Sequence, residues 1–586
     1  MDEILALYQQ LHNTLGTDNI CESFCEKIQR TLQKAIDAIP ADAMTAIRGG
    51  GGHTNVLFQR FRLDQNRIIG IYDRQKTVDT QCGCPCFPAE ELPETECDFV
   101  IVSTFYYRQE VLKELQPLGL QVVDLYGELE KEGIDLIAPF DQYTPVSSLT
   151  LNYFYRKYLE NKEKAGREKA LREALQAAVE LKDFVMIRRI CAENEALPLL
   201  LDVQAGVEKL LQAIRRRIHE RKQKDVMVFW TDAVSYYLLP QMPLMKKRSE
   251  RGCFFKRAYT PTPFTHQSLA AMFTRFLPID DYDWAKAPIC RENSPLIQYL
   301  ESKGYEIKFI AHLKDSMNGR YLLEIPSSAS CNVKWWAGME RWLTSEKPCF
   351  YIFHLLVESH EPNLSPDLEM ITDTRIKSPQ QERQRAAALA YLDECLALYH
   401  DLAGDALQVY LSDHGQYIFP MRSWSEERLH AYCFAVGKGI PQKAVQKLFP
   451  YQNFDSFVKW MVEPENYSLE DACADEMVFQ DTDFYNPDRI SLFIRHGLPE
   501  EGIAVRGVLN DTCRYMLNAL GEEAYYLYQA DGTEEPATLE DDLLRAELRD
   551  KCGTKFLDIY QLDQFQYTRR LYEYVRSRKE QQANKN

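Results

Sequence analysis

The feature that most constrains this chain is a series of short apolar runs, each spaced from the next by residues of helical character. Val226-Met227-Val228-Phe229-Trp230 is the first. Comparable runs are Tyr305 to Ile310, Phe350 to Leu355, Leu407 to Leu411 and Tyr432 to Val436. Short, mostly apolar runs of this length are expected of strands buried on both faces, as in a parallel sheet covered by helices. The spacing therefore predicts a large α/β domain over residues 225–550 with a central, mostly parallel sheet.

Residues 1–148 carry a smaller version of the same alternation. Helical periodicity over 1–40 precedes an apolar stretch, Met44 to Ile47, and then Gly49-Gly50-Gly51-Gly52-His53-Thr54. Strand-like segments recur at Ile68 to Tyr72, ending in Asp73, at Asp98 to Ser103, and at Leu120 to Asp124. This predicts a small Rossmann-like α/β domain. Residues 149–224 are rich in Lys, Glu, Arg, Ala and Leu and read as a charged helical connector, with 551–586 as a C-terminal helical tail.

Composition excludes several classes. With 69 basic and 87 acidic residues the net charge is −18, which disfavours nucleic acid as a general partner. The N-terminus, MDEILALYQQLHNTLG, lacks the basic and apolar segments of a secretory signal, and no apolar run of about 18 residues occurs. The 16 cysteines read as reduced thiols. A soluble, cytoplasmic protein without an integral membrane segment is expected.

Candidate ligands cluster near the ends of the apolar runs, where open α/β sheets bind their ligands. Asp232 follows the first run, His360 follows Phe350–Leu355, and Asp413-His414 follow Leu407–Leu411. His430 lies just before Tyr432–Val436. Between the first two lies Thr260-Pro261-Thr262-Pro263-Phe264-Thr265-His266-Gln267-Ser268, leading into a helical segment. Carboxylate and imidazole donors suit Zn²⁺ or Mn²⁺. Such a cation would activate the threonine hydroxyl, and a helix starting at Thr265 would offer free N–H groups to a phosphoryl oxygen.

These residues resemble the alkaline phosphatase/sulfatase superfamily, in particular its phosphoethanolamine transferase and lipoteichoic acid synthase branch. Thr265-x-x-Ser268-x-x-x-Met272-Phe273 looks like the nucleophile segment, Ser412-Asp413-His414-Gly415 like the metal-binding Ser-Asp-His-Gly, and Ser359-His360-x-Pro362 like the His-x-Pro segment. Leu429-His430 sits like the further downstream histidine, and Gly507 to Tyr515 with Glu523 to Gln529 is similar to the closing strands. The resemblance implies an alkaline phosphatase-like fold and a covalent phospho-threonine on Thr265. It implies that Asp232, Thr265, Asp413 and His414 bind the main metal, with His360 and His430 on substrate or a second metal. The expected activity is transfer of a phosphoethanolamine- or phosphoglycerol-like group, from a phosphorylated small-molecule or lipid head-group donor to a glycan acceptor. Alternatives are a phosphodiesterase or phosphomonoesterase of the same fold, or a non-catalytic binding protein. The chain departs from the sulfatases in lacking a Cys/Ser-x-Pro-x-Arg motif, and from the transferases in lacking a membrane anchor.

In the N-terminal domain, Gly50, Gly52 and Asp73 are candidates for nucleotide binding, beside the alternative of a scaffold that docks a partner. Cys82, Cys84, Cys86 and Cys97 read as a loop with buried thiols rather than a metal site, because their spacing differs from that of zinc motifs. His53, His266 and His312 read as incidental, and Trp335, Trp336 and Trp342 as buried packing.

Overall fold

The computed structural model describes residues 1–586 apart from 65–66, 75–78, 162–163, 195–196, 278–287, 357–358, 360–376, 417, 419–424, 482–502, 530–532, 554–556, 559–560, 562–565 and 584–586. Among the described residues the chain separates into two compact units, one of residues 10–200 and one of residues 1–9 and 201–583. The division falls inside the helix Pro198–His219. The helices Ser148–Glu160, Lys164–Glu180 and Phe184–Glu193, which the sequence assigned to a connector, belong to the first unit.

The first unit is built on six strands: β1 (Thr45–Arg48), β2 (Ile68–Asp73), β3 (Thr80–Gln81), β4 (Cys84–Pro88), β5 (Phe99–Val102) and β6 (Gln121–Val123). Their order in the sheet is β3-β4-β2-β1-β5-β6, and every pairing except the β3–β4 hairpin is parallel. The helix Ile20–Asp37 buries Phe24, Ile28, Leu32 and Ile36, a stripe at intervals of four residues that covers its apolar face.

The second unit carries an eight-stranded sheet: β7 (Val226–Thr231), β8 (Cys253–Tyr259), β9 (Glu306–Ala311), β10 (Leu322–Glu324), β11 (Cys349–Leu355), β12 (Leu407–Ser412), β13 (His430–Val436) and β14 (Lys443–Pro450). The order is β10-β9-β11-β7-β12-β13-β8-β14. β13 alone runs against its neighbours, so the sheet is mixed but mostly parallel, and the fold is α/β. An antiparallel meander of β15 (Glu476–Asp481), β16 (Val505–Asn510), β17 (Cys513–Asn518), β18 (Glu523–Tyr528) and β19 (Glu534–Pro536) follows. No helix among the described residues is long and apolar enough to cross a membrane.

Register in the middle of the large sheet is what places the site. Thr231, the last residue of β7, pairs with Leu355 of β11 on one side and with Ser412 of β12 on the other. At the opposite end Asp225 ties the same strands together. Its Oδ1 accepts the Cys349 N–H at 2.8 Å, its carbonyl accepts the Leu407 N–H at 2.9 Å, and its Oδ2 accepts from Trp342 Nε1 at 2.9 Å and Arg221 Nε at 2.9 Å.

One face of these strands is an aromatic ladder. Phe353, Phe229, Tyr410 and Phe434 stack across β11, β7, β12 and β13 with ring centroids 5.0–5.3 Å apart. The helix Cys331–Thr344 lies against this face, with Gly338 directly over Phe353. A Cβ added at Gly338 would sit 2.3 Å from the Phe353 ring. Replacing a helical glycine with alanine normally stabilises by about 1 kcal/mol, whereas overpacking a core costs about 1–3 kcal/mol. The clash here is with a ring wedged in a ladder, so the second effect wins. Gly338→Ala should lower the urea midpoint, and a raised midpoint would show that the ladder yields.

Candidate active site

Because Thr231 and Ser412 are in register, the residues that follow them leave the sheet at the same level. These are Asp232 and Asp413, both buried. Together with His414 they form a group whose ligand atoms all lie within 4.8 Å of one another, the one such group of His, Cys, Asp or Glu among the described residues. The loop is held by its own first residue: Ser412 Oγ donates to the His414 carbonyl at 2.9 Å and accepts the Val234 N–H at 2.9 Å. Gly415 is required by space, since an added Cβ would lie 1.9 Å from the Glu427 carbonyl oxygen.

Thr265 reaches this group from the helix Thr265–Thr274, which begins at that residue. Its Oγ1 donates to Asp232 Oδ2 at 3.2 Å and lies 3.2 Å from His414 Nε2. The helix is seated by Ser268, whose hydroxyl donates to the Asp413 carbonyl at 3.1 Å and accepts from Thr260 Oγ1 at 3.0 Å. The N–H groups of the first turn have no partner within the helix and present positive charge at Thr265.

The donor set fits a divalent cation. Asp413 Oδ1 accepts the Ala233 and His414 N–H groups, while Oδ2 is buried with no hydrogen-bond donor. Burial raises the Asp413 pKa, the Asp232 charge adds to that rise, and His414 opposes it. His414 Nδ1 faces the Gly415 carbonyl at 3.0 Å, so the proton belongs on Nδ1 and the Nε2 lone pair is left facing Asp413 and Thr265. Two carboxylates and an imidazole of this kind suit Zn²⁺ or Mn²⁺.

His354 is a residue that the sequence reading missed. It is fully buried in β11, pairs with Trp230 in register, and its Nε2 lies 2.8 Å from Asp232 Oδ2. The signal was available: it is the one histidine, and the one metal-ligating residue type, in the run Phe350–Leu355. Two histidines read as incidental gather beside it. His312 stacks on His354 at 5.7 Å, and burial lowers its pKa to about 4. His266 feels both His354 and Asp232, with its pKa lowered chiefly by burial.

The remaining sequence candidates fall elsewhere. His360 lies outside the described residues. His430 is not in the ligand group. Its ring is stacked between Tyr236 at 4.3 Å and Tyr259 at 4.5 Å, and its Nε2 meets the Lys256 carbonyl at 3.0 Å. In the first unit, Gly50 donates its N–H to Asp73 Oδ2 at 2.6 Å, and Gly52 opens the helix Gly52–Arg60 with open space around its Cα. His53 there bridges Ser103 and Tyr126. The cysteines 82, 84, 86 and 97 form no metal-holding group among the described residues.

Residues 229–321 match the sulfatase family model. The matched segment holds Asp232, Thr265 and β9. Among solved structures the chain is similar to a protein of the alkaline phosphatase superfamily from Vibrio parahaemolyticus, at 15% identity and TM-score 0.43, covering 62% of this chain and 97% of that one. It is also similar to a phosphonate monoester hydrolase from Silicibacter pomeroyi, at 12% identity and TM-score 0.40, covering 56% and 94%. A third is a 2-O GAG sulfatase, at 14% identity and TM-score 0.42, covering 58% and 94%. No curated protein matches the chain.

Two outcomes follow from this geometry. A histidine that orients a metal-ligating carboxylate typically contributes about 10–100-fold to metal affinity. His354→Gln should weaken Zn²⁺ or Mn²⁺ by that factor in a chelator competition, and an unchanged affinity would remove His354 from the site. The second concerns His430, whose pKa burial lowers from 6.5 to about 3. The unfolded chain then takes up this proton first. The stabilisation is complete above about pH 6.5 and falls by about 1.4 kcal/mol per pH unit on acidification toward 3. His430→Gln should flatten the pH dependence of the urea midpoint between pH 6.5 and 5, and an identical slope in the variant would contradict the burial.

Proposed function

We propose that this site is a metal-dependent phosphoryl-transfer centre in which Thr265 is the nucleophile. The observation that carries the reading is the position of Thr265 Oγ1, 3.2 Å from both Asp232 Oδ2 and His414 Nε2 at the start of a helix. The sulfatase-family match over residues 229–321 supports an enzyme of the sulfatase and phosphatase kind.

A divalent cation held by Asp232, Asp413 and His414 would lower the pKa of the Thr265 hydroxyl and offset the charge on a phosphoryl group. Thr265 Oγ attacks phosphorus in line and gives up its proton toward Asp232. The leaving oxygen departs opposite, and the first-turn N–H groups receive the nonbridging oxygens. His354 keeps Asp232 oriented throughout. An acceptor hydroxyl then attacks the phosphorus of the phospho-threonine, the P–Oγ bond breaks, and the acceptor's proton returns by way of Asp232 to Thr265 Oγ.

The Thr265 segment's resemblance to the phosphoethanolamine transferases supports a phosphoethanolamine- or phosphoglycerol-like group as the one carried, with a glycan hydroxyl as acceptor. The sulfatase-family match supports the second reading, in which water releases it and the protein is a phosphodiesterase or phosphomonoesterase.

The test is release of nitrophenol from a phosphodiester, a phosphomonoester and a sulfate ester. Metal-loaded wild type should cleave a phosphate ester, and chelation should abolish the activity. Thr265→Ala should lower the rate on the order of 10³-fold or more. Adding glycerol or a monosaccharide separates the readings, because a transferase joins the phosphoryl group to the added alcohol, whereas a hydrolase gives free phosphate from the monoester and a phosphomonoester from the diester. Cleavage that survives Thr265→Ala would eliminate the nucleophile.

A further inference from the structure

The helix Pro379–Ala403 carries a buried cation that no carboxylate among the described residues pairs with. Arg385 is 7% exposed, and its Nη2 donates to the Ala233 carbonyl at 3.0 Å. Its Nε is buried with no hydrogen-bond partner. Among the described residues no acidic side chain forms an ion pair with it. Glu427 acts on it electrostatically but is itself exposed. Burial lowers the Arg385 pKa to about 10, so the guanidinium stays charged at neutral pH.

Its position matters as much as its chemistry. Ala233 follows Asp232 directly, and its N–H donates to Asp413 Oδ1 at 3.0 Å. Ala233 stands at φ +57°, a left-handed conformation that costs a non-glycine residue. Arg385 thus holds the carbonyl of the residue whose amide holds a ligand. That hydrogen bond alone would be met by any neutral donor. Burying an unpaired guanidinium is far more costly than burying a carboxamide, and its planar fork matches a phosphate.

We propose that Arg385 is the anion-recognising wall of the substrate pocket and takes a nonbridging oxygen of the phosphorylated substrate. The proposal rests on the phosphoryl-transfer reading of Thr265. It adds a specificity element, since an uncharged ester would leave the guanidinium unpaired.

Orthophosphate is the probe, titrated calorimetrically into the metal-loaded full-length protein, with metal content and melting temperature measured alongside. Arg385→Gln should weaken phosphate about 10–100-fold with the metal retained. Phosphate binding equal to wild type in that variant overturns the proposal, as does a wild type that binds no phosphate. Loss of metal together with phosphate also overturns it, by showing that Arg385 serves only to hold the Asp232–Ala233 turn. If Arg385→Gln does not fold, Arg385→Lys keeps the charge and removes the fork. Weakening of several-fold there supports the proposal and unchanged affinity overturns it. The underlying reading fails separately. Phosphate binding that depends on Arg385, beside ester cleavage that survives Thr265→Ala, would remove the nucleophile and leave the anion wall in place.

Discussion

The register of β7 against β11 and β12 governs everything placed above it. Asp225 fixes the three strands at their start, and two residue-for-residue ladders carry that alignment to Thr231, Leu355 and Ser412. Asp232 and Asp413 therefore emerge side by side because the strands beneath them are aligned, with no long side chain reaching across. Two buried carboxylates this close repel one another and lose hydration. The fold tolerates them through N–H donors from Ala233 and His414, an imidazole against each, and a geometry open to a cation. A one-residue slip of β12 would turn Asp413 to the opposite face.

The two faces of that sheet do different work. On one, rings stacked across four strands fill the space with rigid, apolar bulk. On the other, Trp230, His354 and Phe309 pack beneath the site, and His354 is the polar member of that set. Strand alternation sorts Phe229 and Trp230, or Phe353 and His354, onto these opposite faces. A histidine at 353 would face the ladder and could not orient a ligand.

Much of this was legible in the residues. The runs at 226, 305, 350, 407 and 432 each became a strand of the large sheet, because strands buried on both faces need a mostly apolar sequence; Glu306 and Lys308 in the second mark a strand nearer the edge. β8 and β14 escaped notice because Lys256, Arg257, Lys443 and Lys447 interrupt them, as befits strands on the outer side of the sheet. In the first unit, the hairpin of β3 and β4 was hidden by its prolines and cysteines. Asp232, Thr265, Asp413 and His414 were found by their order along the chain, and the structure brings them together. His354 was missed because a strand was read as packing alone. Arg385 lies on a helix with one further arginine, and only burial distinguishes it from its solvated neighbours Arg383 and Lys377.

The single reversed strand has a consequence of its own. β13 begins at the end of the sheet where β12 finishes, so the chain between Asp413 and His430 departs from and returns to the same rim. Its first anchor, Asp413, belongs to the site, and its last, His430, is held between Tyr236 and Tyr259. A segment whose two ends are pinned to each other, Gly415 to Glu427 and Arg428, can change between those ends without altering any strand's alignment. It is the natural place for related chains to diverge in what they accept while keeping one chemistry, a replaceable collar on a fixed socket.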